Sequence, residues 1–408
     1  MLFRSEPVSL GRVHWSFTRY RQATSGAIFA DPDAPVHLEL QTRAGFDGEP
    51  KTYFIFDDLG RPSEVDEATY FNSPRVVERF SEGITGFRAL RGDDTENWNT
   101  WSVPYQASGD EIRSSDGAQY LQFRFNIRSE DPMAFGVLDS VAFEISPLLA
   151  DSALAEISID DVQLAAQSRL VEVPLGIPQA FAYDLRTVAG AGRVGYDTIE
   201  LDVPGAAQFS GLEIDGQPAV EGSDFSLEST NRQFRIRFPQ AIREDRSLRL
   251  RFNSAIFQAS VFLEGRILNS STDVALPQSV EAGNARTDVA SDGVQIVASD
   301  VEIDILSRIA LSSGAFTPNG DGINDRATVS FDLFSVNGGA LRVTTFDLAG
   351  RRIATLLEEG AVAGPYAVAW NGRNDSGQTV PPGIYLVRVE VEVDGGLFSQ
   401  IAHVGVAY

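Results

Sequence analysis

Residues 370–389 read WNGRNDSGQTVPPGIYLVRV. Asn371-Gly372 and Ser376-Gly377 bracket a tight loop, since glycine accepts the positive φ that such loops demand. Pro381-Pro382-Gly383 then launches a strand in which Ile384 and Leu386 alternate with Tyr385 and Val387. Trp370 ends the preceding strand and is the natural core anchor. Upstream, residues 343–357 (VTTFDLAGRRIATLL) place Asp347-Leu348-Ala349-Gly350 as a turn between two strands. Residues 316–333 (FTPNGDGINDRATVSFDL) lead from a loop rich in Asn and Asp into another strand. Strands are legible at 327–334, 340–347, 352–357, 364–370, 383–393 and 398–406. So many short strands in one stretch fit a single Ig-like sandwich.

These three motifs, in this order, resemble the FlgD-like immunoglobulin domain, and the stretch is similar to the C-terminal modules of gliding-motility-associated proteins. The resemblance covers 312–408. It implies an Ig-like fold and a place at the C-terminus of a secreted bacterial protein, in a family that supplies spacers, assembly modules and anchoring units. A fold alone does not assign a function.

Working outward, almost every regular segment upstream also reads as strand. Val13, Trp15 and Phe17 alternate with His14, Ser16 and Thr18; Val36, Leu38 and Leu40 alternate with His37, Glu39 and Gln41. Leu121, Phe123, Phe125 and Ile127 alternate with Tyr120, Gln122, Arg124 and Asn126. Each pattern predicts one buried and one polar face. Phe234-Ile236-Phe238 and Leu248-Leu250-Phe252, separated by a polar turn at 243–246, predict a hairpin. Residues 57–97 read as an irregular acidic stretch and 269–292 as a loop; the one helical candidate is short, at 152–155. The expectation is an all-β chain of three consecutive β-sandwich domains. These are a jelly-roll or discoidin-like sandwich at 6–153, a second β-sandwich at 154–311 and the Ig-like domain at 312–408. VHLELQTRAG, WNTWSVPY and YLQFRFNIRS carry the looser jelly-roll and discoidin resemblance, which transfers no ligand. MLFRS at residues 1–5 resembles the translation of a sequencing adapter; as an assembly scar it is set outside the fold, and the signal peptide is then expected in a lost upstream segment.

Composition narrows the chemistry. The 408 residues include no cysteine and three histidines, His14, His37 and His403. Disulfides, thiolate metal sites and cysteine nucleophiles are excluded, and zinc or His-triad chemistry is disfavoured. A formal net charge of −24, with Lys51 the single lysine, argues against nucleic acid and anionic membranes. No apolar run reaches the length of a membrane helix. No GxSxG, HExxH, P-loop or kinase motif is present, so the chain is not expected to be an enzyme.

Three constellations remain. Asn319, Asp321 and Asp325 in TPNGDGIND have dockerin-like spacing, with Gly322 at the bend; hard oxygens on a tight turn make calcium the single candidate cofactor. The pattern starts at Thr317 and has no twelfth-position Glu, so an Asx-rich turn is the competing reading. Trp98, Trp101 and Tyr105, with the stripe Tyr120, Gln122 and Arg124, offer aromatic platforms and planar hydrogen-bonding groups for a glycan; the competing reading has the tryptophans plugging a sandwich edge. Arg235, Arg237, Arg249 and Arg251 are expected on one sheet face, a ladder suited to an anionic polymer; the favoured reading pairs it instead with acidic strands such as Glu200 and Asp202, or Glu213 and Asp215.

The functional expectation is a non-catalytic structural or anchoring portion of a larger secreted or cell-surface bacterial protein. Its partners would be neighbouring domains of that protein or a surface polysaccharide. A glycan-binding accessory region of a secreted hydrolase is the alternative, and a flagellar hook-capping-type assembly protein the weakest.

Overall fold

The computed structural model of the chain describes residues 2–75, 84–160, 170–272, 274–289, 291–299 and 304–408. It is an all-β protein whose strands gather into separate sheets along the sequence.

In the first unit, Val36–Gly45 and Leu2–Arg4 flank Tyr120–Ser129 in one antiparallel sheet. Val8–Gln22 lies between Ala134–Pro147 and Ile28–Ala30 in a second. The predicted alternation places Val13, Leu40, Leu121 and Phe123 in one core between them. Residues 2–4, set outside the fold on sequence, instead make a strand, and the Phe3 ring meets Phe123 at 5.6 Å and Phe143 at 5.2 Å. The stretch read as irregular carries order of its own. Lys51–Phe56 pairs with Pro62–Val65 and Arg88–Asp93. A six-residue helix, Glu67–Asn72, is capped by the Asp66 carboxylate accepting from the Thr69 amide at 2.8 Å. No residue of that helix is buried, which explains why no apolar period announced it.

The second unit has the largest core, enclosed by one continuous run of ten hydrogen-bonded strands that folds into two facing sheets. Three expectations are corrected here. Residues 152–155 belong to the strand Ser152–Ile159, because Ala153, Ala155 and Ile157 alternate into the core. The 269–292 loop contains the strand Gln278–Ala282, which runs parallel to Ser152–Ile159 and antiparallel to Gly265–Leu268, joining the two sheets. The predicted hairpin does not form. Gln233–Ile242 pairs with Tyr196–Asp202 and Ser226–Ser229, whereas Arg246–Ser254 pairs with Gln179–Val188 and Gln208–Ile214. The polar turn between them crosses from one sheet to the other. Phe234 then meets Phe252 at 5.9 Å, edge to face. Facing each other, the two strands pack their apolar sides against one another, whereas side by side both would point the same way and need a third surface to cover them.

In the third unit the expected strands fuse into longer ones. Ala327–Asp347 and Arg352–Trp370 pair along most of their length, and Gly383–Val393 and Gly396–Val406 complete the main sheet. Register shifts at 333–340 let the first strand bend without leaving the ladder. Gly339, at φ 99°, lies where a Cβ would meet the Glu392 carbonyl oxygen at 2.1 Å. The chain therefore needs glycine there. Trp370 is 1% exposed, with Phe316 at 5.5 Å and Tyr385 at 5.3 Å, and its Nε1 donates to the Arg373 carbonyl at 2.9 Å. The third unit's ladder begins before residue 312, since Ala310–Leu311 pairs with Ala327–Asp347.

The units are stitched where they meet. Between the first two, the buried Asp116 carboxylate accepts the Leu10 amide at 2.6 Å and the Ser279 amide at 2.7 Å. The Ser146 hydroxyl oxygen accepts the Leu276 amide at 2.9 Å. Gln278 Oε1 accepts from the Leu149 and Ala150 amides at 2.8 and 3.0 Å, fastening the connecting segment to the second unit. Between the last two, strand alternation turns Phe334 away from its own core. The ring enters the core of the second unit instead and stacks on Phe257 at 5.7 Å. Next to it, the Ser335 amide donates to the Phe257 carbonyl at 2.8 Å.

Candidate functional site

The aromatic and polar residues singled out around 98–124 are brought together by backbone pairing. The 97–105 segment runs along the edge of Val36–Gly45, with the Asn99, Ser102 and Tyr105 amides donating to the carbonyls of Ala44, Thr42 and Leu40 at 2.8–2.9 Å. This covers the C-terminal end of the polar face of Val36–Gly45, so Arg43 and Gly45 are buried there, while Thr42 and Ala44 are buried on the core side and His37 and Glu39 stay exposed. Trp98 seats on Gly45, where a Cβ would lie 2.2 Å from the indole.

At the centre is Arg43, whose side chain is 1% exposed. Its Nε donates to Gln122 Oε1 at 2.7 Å, one terminal nitrogen to Asp93 at 2.9 Å and the other to the Pro50 carbonyl at 3.2 Å. The guanidinium carbon lies 5.1 Å from the Trp98 ring centre and 4.7 Å from that of Trp101. Arg124, held by Gln41, lies 4.4 Å from the Trp101 ring centre. Trp98 Nε1 donates to Asp47 at 3.0 Å, and Tyr120 is 6.4 Å from Trp98. Tyr105 is apart from this group. It is buried in the core, its hydroxyl 2.6 Å from Thr42 Oγ1 and accepting the Arg113 amide at 3.1 Å.

A sugar platform needs an open ring face. Here guanidinium groups already lie over Trp101, an arrangement in which cation and ring stabilise each other. Sequence reasoning missed Arg43, the residue that organises the cluster. Its one signal is a position on the polar stripe of Val36–Gly45, and its cross-strand neighbour Gln122 follows only from the register.

In the 316–325 loop, Asp325 accepts the Gly320 and Gly322 amides, both at 2.7 Å, and Asp321 accepts the Ile323 amide at 2.8 Å. Asn319 Oδ1 accepts the Asp321 amide at 3.0 Å. The Ile323 amide holds the Asp321 carboxyl below the usual carboxylate range. Among the described residues no group of three or more His, Cys, Asp or Glu side chains could hold a metal ion. These carboxylates already serve main-chain donors as turn residues do. We expect the melting temperature of the chain to be the same in millimolar calcium and in chelator. A calcium-filled loop would instead raise it, since ligand at one hundred times Kd adds about 2.7 kcal/mol.

The arginine ladder is divided between two sheets, and each member has an acidic partner. Arg235 donates to Glu200 at 2.8 Å, and Arg237 lies 3.8 Å from Glu228. Arg249 lies 3.4 Å from Asp184, while Arg251 reaches Glu213 at 2.6 Å and Asp160 at 3.0 Å.

Residues 321–395 match the FlgD Ig-like domain family, so the C-terminal unit is a FlgD-like Ig domain. No curated protein matches the chain in sequence. Among solved structures, dimeric latent PorU from Porphyromonas gingivalis is 13% identical with a TM-score of 0.22, covering 98% of this chain and 34% of that one. The chain thus spans about a third of the PorU chain it matches. BcpA, the major pilin subunit of Bacillus cereus, is 10% identical with a TM-score of 0.25, covering 88% of this chain and 91% of that one. The Corynebacterium diphtheriae major pilin SpaA is 9% identical with a TM-score of 0.22, covering 96% and 91%. At these scores the description of the fold rests on the chain's own sheets. Among the described residues, no helix is long and apolar enough to cross a membrane.

Proposed function

We propose that this chain is a non-catalytic structural portion of a larger secreted or cell-surface bacterial protein. It would act as a stiff spacer of three β units that ends in the FlgD-like Ig domain. The observation that carries the reading is the side-chain stitching at both junctions. Asp116 accepts one amide from each of the first two units, and Phe334 of the third lies in the core of the second. Flexibly tethered domains have no need of such contacts, and motion between domains is the default where they are few. The polar clusters also serve the fold: Arg43 holds the 97–105 segment and Asp325 holds a turn. Neighbouring domains of the full protein are the proposed partners.

Small-angle scattering on the whole chain tests this reading. A compact globule of this length has a radius of gyration of roughly 22 Å. A stiff row of units gives a clearly larger value, with a well-defined maximum dimension that salt does not change. A value near the compact figure, or a broad distribution showing freely moving units, would overturn the spacer reading.

A further inference from the structure

The second unit carries a buried ionic cluster that the spacer role does not use. Glu156 on Ser152–Ile159 sits directly opposite Asp184 on Gln179–Val188. Both are buried, at 0% and 1% exposure. Asp184 is in turn opposite Arg249, and Arg249 is opposite Glu213, so one row crosses the outer face of the sheet. Residues 283–289 and 291–293 lie over the near end of that row. The Gly283 amide donates to the Ala155 carbonyl at 2.9 Å, and the Ile157 amide to the Gly293 carbonyl at 2.8 Å. Between those two ties, the Arg286 amide donates to Glu156 Oε1 at 2.7 Å. The carboxylate of Glu156 is therefore the middle anchor of the segment.

The surrounding charges do not balance the pair. On its own strand's end, Asp160 is bound to Arg251. From Arg246–Ser254 come Arg251, also bound to Glu213 of the next strand, and Arg249, 3.4 Å from Asp184. The covering segment contributes Arg286, Asp288 and Asp292. The Arg286 guanidinium is committed to Asp288 at 2.6–2.8 Å and stands 3.9 Å from Asp184. Arg186 lies one pair further along the same face, opposite Leu154. Among the described residues, Glu156 Oε2 and both Asp184 oxygens are buried without a hydrogen-bond partner. Two adjacent buried carboxylates in this setting cannot both ionise without strain, and a retained proton relieves it.

We infer that Glu156 and Asp184 form a proton-dependent latch, holding residues 283–289 and 291–293 on the sheet while the pair keeps a proton and loosening them when both groups ionise. The same segment follows directly on Gln278–Ala282, the strand that joins the two sheets, so the latch acts beside the unit's seam. Burial supports the sign. It pushes Glu156 up to about 7 and Asp184 up to about 6. A carboxyl raised in the folded state favours folding most below its unfolded value, and that contribution is lost as pH rises through the folded value. The loosening therefore sets in above the ordinary carboxylate range and is complete by about pH 7.

Hydrogen exchange of the full chain, read by mass spectrometry between about pH 5 and pH 8.5 and corrected for intrinsic rates, tests the latch. Peptides from the 283–289 and 291–293 stretches should exchange about fivefold faster at about pH 8.5 than at about pH 5, while Gln179–Val188 stays protected. In Glu156→Gln, which keeps an acceptor for the Arg286 amide and cannot ionise, the step should vanish. Asp184→Asn provides a second variant should the first not fold. A flat corrected profile in the unmodified chain overturns the inference, and so does an unchanged step in the variant. The spacer reading does not depend on this result, because scattering at one pH decides it.

Discussion

Replacing Arg43 by leucine is expected to destabilise the N-terminal sandwich by about 3 kcal/mol, among the largest effects available to one substitution in this unit. The side chain is almost fully buried and makes three hydrogen bonds, to Gln122, Asp93 and the Pro50 carbonyl. Leucine fills part of the volume and satisfies none of these acceptors. Gln122 Oε1, which is half-buried, is left without its donor, a loss toward the lower end of the about 1–3 kcal/mol of a buried acceptor without a partner. The Trp98 and Trp101 rings lose the cation between them. Asp93 keeps its contact with Lys51 and is half exposed, so it adds little to the loss. Arg43→Lys should recover only a fraction, because an ammonium cannot serve three planar partners at once. Denaturant unfolding followed by tryptophan fluorescence reads this directly, since Trp15, Trp98 and Trp101 all lie in this unit. A loss below about 0.5 kcal/mol, the range of ordinary surface substitutions, would show that the cluster is peripheral to the fold.

Phe334→Ala is expected to uncouple the third unit from the second. The ring is 8% exposed, stacks on Phe257 and belongs to the second unit's core. Removing a buried phenylalanine costs about 3–5 kcal/mol. Here the loss falls on a contact between units and opens the floor of the second core. Among the described residues, the backbone hydrogen bond that remains across this junction is the Ser335 amide on the Phe257 carbonyl, whose net worth is about 1 kcal/mol. Calorimetry should show the transition of the second unit moving to lower temperature and separating from that of the third. Scattering should show a broader distribution of sizes. Trp370→Ala is the control. Its ring lies wholly in the third core, so it should unfold that unit and leave the second transition in place. If Phe334→Ala leaves both the calorimetric profile and the size distribution unchanged, the junction is not what fixes the spacing.

Much of the local structure was legible because period-two alternation reports burial on one face, and that is a property of each strand alone. Val13, Leu40, Phe123, Phe234 and Leu250 were placed inward by it and are buried. The misreadings share a cause. The Phe234–Phe238 and Leu248–Phe252 segments look the same whether they lie side by side or face each other. The choice belongs to their partners, Tyr196–Asp202 and Gln179–Val188. Gln278–Ala282 has little apolar signal and is a strand because it bridges two sheets. Glu67–Asn72 is a helix because Asp66 caps it, with no buried face to betray it.

The sequence by itself determined the all-β class, the FlgD-like C-terminal domain, the core anchor Trp370, and the absence of cysteine chemistry. Each depends on residue type or short-range spacing, which physics reads locally. Tertiary structure alone decided that Arg43 sits between two tryptophans and that Glu156 lies beside Asp184. It also decided that Phe334 belongs to its neighbour's core and that Asp116 ties two units together. Those pairings span tens to more than a hundred residues. They are set by strand register and by which surfaces meet, quantities that no local pattern of side chains encodes.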